Sequence, residues 1–143
     1  MPEPMMTARI FMFQSAVLIF GLGAIHFIYT FWGLKLHPRD PALQARMREV
    51  SPVITRETTM WKTWIGFNAS HALGALLFGL VYGYLALVHP AFLFQSGFLL
   101  AVGFCVLGFY VFLGKAYFFS VPFTGILISF VAYVVSLVAS FVG

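Results

Sequence analysis

Four apolar runs, near residues 10–33, 60–88, 92–113 and 121–142, each reach the length needed to cross a bilayer; the hydrocarbon core takes about 20 helical residues. Barrel strands would be roughly half that long and would alternate in polarity, and these runs do not alternate. The rest of the composition agrees. Of 143 residues, 62% are hydrophobic and only 8% charged, with mean hydropathy +0.98, whereas a soluble domain carries about 25% charged residues. The expected fold is all-α: a four-transmembrane-helix bundle forming a single integral membrane domain over residues 1–143.

The second run is long for one crossing and is expected to begin outside the lipid. In the first, Arg9 and the small residues Gly21, Gly23 and Ala24 resemble parts of a signal peptide. Apolar sequence nevertheless continues through Phe31 and Trp32, well past a typical signal core, so a retained span is expected.

Charge sets the orientation. The connection over residues 34–59 carries Lys35, Arg39, Arg46, Arg48 and Arg56; Lys62 follows closely, and Lys115 lies between the third and fourth runs. The opposite side offers Arg9. The positive-inside rule places the basic side in the cytoplasm and both termini on the non-cytoplasmic side. Trp32, Trp61, Trp64, Tyr117, Phe118 and Phe119 fall near that boundary as an aromatic belt would. His89-Pro90 reads as a tight turn, Gly114 as a point just beyond the third run, and Pro122 as a tolerated residue near the start of the fourth helix.

Within the connection, Asp40-Pro41 is an N-cap followed by a first-turn proline. Leu43, Met47 and Val50 then recur at helical spacing until Ser51-Pro52. A short interfacial helix is expected, its apolar edge on the membrane and Arg39, Arg46 and Arg48 near lipid phosphates. A surface for docking a protein partner is the alternative. Few basic residues, all beside lipid, give no support to nucleic-acid binding.

The chemistry-bearing stretch is Trp64-Ile-Gly-Phe-Asn-Ala-Ser-His71. At about 100° per residue, Glu57, Trp61, Trp64, Asn68, His71, Ala75, Gly79 and Tyr82 share one narrow face. Lipid exposure of Asn68 and His71 would cost several kcal/mol, so that face should turn inward. Ala75, Gly79 and Gly83, and on a nearby face Gly66, Ser70 and Gly74, repeat every four residues, as close helix packing requires. In the first run His26 shares a face with Ser15, Leu22, Gly23, Tyr29, Thr30 and Gly33. Counted from the belt, His26 lies about 9 Å deep, Asn68 about 10 Å and His71 about 15 Å, so His26 and Asn68 are expected at one level.

The candidate ligand-binding residues are therefore His26, Tyr29, Glu57, Trp61, Trp64, Asn68 and His71. Two imidazoles here could bind a haem iron or metal, relay protons, or hydrogen-bond a quinone or lipid carbonyl. Alternatively, the polar groups only satisfy one another across helices. The sequence has no His-x-x-x-His motif or cysteine-rich spacing, and haem would require His26 and His71 to oppose each other despite their depth offset. Glu57 is the plausible acid, but pairing with Lys35, Lys115 or a loop arginine is the simpler role. Asn68-Ala69-Ser70 matches a glycosylation sequon where no transferase could reach it. Cys105, the single cysteine, is expected to be a small packing residue. The apolar runs lack carboxylates and show no clear duplication, which argues against transport by one copy alone.

Gly23-Ala24-Ile25-His26, Trp64-Ile65-Gly66-Phe67 and Tyr117-Phe118-Phe119-Ser120-Val121-Pro122 together resemble small four-span bacterial membrane proteins of unknown function. The resemblance implies a bacterial inner-membrane protein and transfers no catalytic residue. The resulting expectation is an accessory or scaffold subunit in contact with membrane lipids and with a membrane protein partner or further copies of itself. The alternative is a binding protein or enzyme for a quinone, lipid or isoprenoid.

Overall fold

The computed structural model describes residues 3–142, and all regular structure among them is helical. The elements are α1 (Glu3–Phe31), α2 (Pro41–Glu49), α3 (Met60–Val88), α4 (Pro90–Gln95), α5 (Gly97–Tyr117) and α6 (Ser120–Val142). Helices α1, α3, α5 and α6 are long and apolar enough to cross a membrane. The shortest, α5, has 21 residues and is about 31 Å long at the α-helical rise, close to the hydrocarbon thickness.

Several boundaries differ from the sequence expectation for local reasons. Helix α1 is already formed at Glu3, the first described residue and seven positions before the apolar run; Thr7 Oγ1 donates to Glu3 O (3.1 Å) within this opening stretch. His89-Pro90 is not a simple turn. Pro90 fills the first position of α4, where its missing N–H costs nothing, and His89 precedes it. The expected run at 92–113 is divided at Ser96, whose hydroxyl accepts from Leu99 N (3.3 Å) and so caps α5. Gly114 lies inside α5, buried, because Phe123 of α6 packs directly over it. Cys105 is exposed and does not fill the core.

The chain forms two compact units. The first comprises Met1–Leu22 with Ala75–Gly143; the second is Gly23–Gly74. In the first unit, Met12, Ala16 and Ile19 of α1 form a common core with Ala75, Phe78, Tyr82 and Ala86 of α3. Leu93 of α4, Leu100 and Leu107 of α5, and Ile126 and Tyr133 of α6 complete it. Small residues set the helix spacing. A Cβ placed on Gly79 would lie 2.5 Å from Phe20 Cβ and 2.7 Å from the Ala16 carbonyl, so α1 and α3 can meet this closely only without a side chain there. Gly103 does the same for α5, leaving space for the Tyr133 and Tyr82 rings.

Those rings bring hydrogen bonds into the core. Tyr133 donates to Leu100 O (2.8 Å) and Tyr82 to Leu99 O (2.6 Å), both on the first turn of α5. Phe78 stacks on Tyr82 with centroids 4.3 Å apart. Helices α1 and α6 are tied by serines: Ser129 donates to Ser15 O (2.9 Å) with its hydroxyl 3.1 Å from that of Ser15, and Ser136 donates to Ala8 O (2.7 Å). Arg9 reaches the last turn of α3, where Nε and Nη2 donate to the Ala86 and Leu87 carbonyls, each at 3.1 Å. Those carbonyls lack helical partners and carry the negative end of the dipole, which a guanidinium satisfies.

Gly79→Val is expected to lower stability by about 1–3 kcal/mol, because backbone as well as side chains must move apart. Ser129→Ala should cost less, about 0.6–1.7 kcal/mol, the range for interhelical polar bonds in membranes. Equilibrium unfolding of the purified chain in mild detergent measures both; an unchanged midpoint in Gly79→Val would contradict the account of α1–α3 spacing.

Candidate functional site

The second unit holds the candidate site, built from the end of α1, the connection containing α2, and the start of α3. Thr30 Oγ1 donates to His26 O (2.8 Å), four residues back, so the hydroxyl is satisfied within the helix although Thr30 is buried. Helix α1 ends before Gly33, whose φ of +94° lies in the left-handed region that glycine adopts without strain. The connection then returns across α3. Trp64 Nε1 donates to Leu36 O (3.0 Å), and Met60 N donates to Val50 O (2.8 Å), tying the first turn of α3 to the residue that ends α2.

Helix α2 follows its sequence signal closely: Asp40 Oδ1 accepts from Ala42 N (2.9 Å), and Pro41 occupies the first turn. None of its residues is buried. Leu43 is exposed, while Met47 and Val50 are partly covered. Arg46 pairs with Glu49 at 3.1 Å, both side chains exposed, a contact of little energetic weight.

His26, Asn68, Trp64 and His71 come together. His26 Nε2 lies 3.0 Å from Asn68 Oδ1, and Asn68 Nδ2 donates to Trp64 O (2.8 Å). A carbonyl only accepts, so the amide nitrogen must face Trp64 and the amide oxygen must face His26. Neutral His26 therefore carries its proton on Nε2, leaving Nδ1 as its acceptor. The His71 ring meets that of His26 edge-on, with centroids 5.4 Å apart and planes at 78°. All three polar side chains are half-buried. Rings in direct edge contact leave no gap for a porphyrin between two axial imidazoles. Among the described residues, no group of three or more His, Cys, Asp or Glu side chains is placed to hold a metal.

The remaining candidates are placed elsewhere. Trp61 belongs to a second cluster, with the His37 ring edge-on at 4.8 Å and the Arg48 guanidinium 5.3 Å from its centroid; Gln44 Nε2 lies 2.9 Å from His37 Nδ1. Tyr29 faces outward and is 40% exposed, since three residues beyond His26 it is turned about 60° away around the helix. Glu57 is not on the polar stripe, because α3 begins only at Met60 and the helical projection does not extend back to it. Its carboxylate forms no ion pair among the described residues, and Lys115 instead lies over the Phe123 ring at 5.6 Å. Sequence reasoning missed His37 and Gln44, which have no periodic partner to mark them. On the neighbouring face of α3, Gly66, Ser70 and Gly74 are exposed, and a Cβ on Gly66 would meet nothing within 4 Å.

No protein-family model, curated protein or solved structure matches the chain.

Asn68→Leu removes a group that bonds in two directions and leaves His26 Nε2 without its acceptor. It is expected to destabilise the chain by about 1–2 kcal/mol, measured as a lower unfolding midpoint. Nitrogen-15 NMR of selectively labelled histidine should show His26 protonated at Nε2 in the neutral form, and Asn68→Leu should abolish that preference. An Nδ1-protonated His26 in the parent chain would contradict the assignment.

Proposed function

We propose that the chain is an accessory or scaffold subunit of a membrane complex in a bacterial inner membrane, with the basic connection in the cytoplasm and both termini on the other side. The observation that carries this reading is the outward stripe Gly66, Ser70 and Gly74 on α3. Small residues at four-residue spacing let a second helix approach closely, and a helix from another subunit fits there. The neighbouring polar cluster supports the same reading, because Asn68 commits both ends of its amide within the chain. Its chemistry is that of an interhelical tie, with no nucleophile or acid pair beside it.

The test is quantitative co-purification from gently extracted membranes, comparing the parent chain with Gly66→Leu. A Cβ at Gly66 has free space, so the substitution should leave the unfolding midpoint unchanged while stoichiometric partner recovery falls about tenfold or more, as lost close packing implies. Undiminished recovery, or no stoichiometric partner in the parent sample, would overturn the reading.

A second reading rests on the two imidazoles in contact: the cluster binds the polar head of a quinone, lipid or isoprenoid, with His26 Nδ1 accepting from the hydroxyl of a lipid, an isoprenoid alcohol or the reduced quinone. Native mass spectrometry distinguishes it. This reading expects a bound small molecule in the parent chain that is lost on His71→Ala; retention of that mass in the variant would eliminate it.

A further inference from the structure

The connection between α1 and α3 holds most of the charge in the chain. Residues 34–62 carry six basic residues against the three carboxylates Asp40, Glu49 and Glu57. Two of those acids are engaged locally, Asp40 as the cap of α2 and Glu49 as the partner of Arg46. Arg48 lies over the Trp61 ring at 5.3 Å, and its N–H groups make no hydrogen bond or ion pair among the described residues. The connection therefore presents cations that its own carboxylates do not neutralise.

An apolar tip stands beside them. Thr55 N donates to Pro52 O (3.3 Å), closing a β-turn with Val53 and Ile54 at its two corners, and Thr55 Oγ1 accepts from Glu57 N (3.1 Å). Val53 is fully exposed and Ile54 is 91% exposed, at positions where a turn in water favours Gly, Asn or Asp. On α2, by contrast, Met47 and Val50 are partly covered, so the turn is the prominent apolar element here. The bond from Met60 N to Val50 O (2.8 Å) holds its level; three residues from that tie, Val53 can stand at most about 10 Å away. Helix α3, with 29 residues, is about 43 Å long, the thickness of a bilayer with its headgroups, so a centred α3 begins at headgroup level.

We propose that the Pro52–Thr55 turn inserts Val53 and Ile54 at the boundary between headgroups and acyl chains, with Arg48 and Arg56 on the phosphates of anionic phospholipids. Two features favour lipid over a protein as the occupant. The turn offers two aliphatic side chains and no aromatic one, far short of the roughly 1,000 Å² and the aromatic anchors of a stable protein interface. The unneutralised cations match an anionic lipid surface, where each Lys or Arg adds about fivefold in binding. The contact needs no second subunit, so a failure at Gly66 leaves it standing.

The test uses the full chain with Cys105→Ser, reconstituted in vesicles of phosphatidylcholine alone or mixed equally with phosphatidylglycerol. A bimane label on Val53→Cys or Ile54→Cys should be quenched by nitroxide-bearing lipids. With iodide on both sides of the membrane, its quenching should be several-fold weaker than that of a label on Ala45→Cys, which lies exposed on the side of α2 away from Met47. Neither tip cysteine should move the unfolding midpoint, since both side chains are exposed. Native mass spectrometry of chain released from the mixed vesicles should find phosphatidylglycerol retained over phosphatidylcholine. Arg48→Gln should lower that preference about fivefold, and Arg48→Lys, which keeps the charge, should preserve most of it. Iodide quenching at the tip equal to that at Ala45→Cys, or an unchanged lipid preference in Arg48→Gln, would overturn the proposal. So would a tip shielded in the native membrane but open to iodide in vesicles of the purified chain, since a protein would then be what covers it.

Discussion

A polar group within hydrocarbon has no water to return to, and the arrangement of this chain follows from where each such group finds its partner. In the first unit the answer is mainly a backbone carbonyl: Tyr133 and Tyr82 reach the first turn of α5, Ser129 and Ser136 reach α1, and Arg9 reaches the last turn of α3. Each bond joins a side chain of one helix to the main chain of another. Such contacts require close helix packing, which is why Gly79 and Gly103 lie among them.

The second unit uses side chains on both sides. His26 meets Asn68 and His71, while Trp61 contacts both His37 and Arg48. Imidazole and amide groups have direction and, for histidine, a choice of tautomer, so this cluster is chemically adjustable in a way that a serine bonded to a carbonyl is not. Outside both clusters, Gly66, Ser70 and Gly74 lie exposed along one side of α3.

Much of the fold was legible because span length and helical periodicity are read from many residues at once. Helix α3 begins and ends where its apolar run does, and the Asp40-Pro41 signal locates α2. The meeting of His26 with Asn68 followed from depth counting. What could not be read depended on single residues. Ser96 divides an apolar run by accepting one backbone hydrogen bond, and Glu57 leaves the stripe because the helix starts three residues later. The partners of Ser129 and Ser136 are carbonyls of residues more than 100 positions away, and no local pattern marks such a pairing. Burial of Gly114 beneath Phe123 and exposure of Cys105 likewise depend on how α5 is rotated, which its nearly uniform apolar sequence does not specify.

The two serine contacts also act as a vernier between α1 and α6. Ser129 and Ser136 are seven residues apart, as are their acceptors Ser15 and Ala8 on the antiparallel helix. Sliding α6 by a residue or a single turn would unseat both hydroxyls together. Only a shift of about two turns, roughly 10 Å, would bring Ser136 opposite Ser15 and re-form one of them. In an oily interface that would otherwise tolerate many alignments, two hydroxyl groups thus permit one and penalise the intermediate positions.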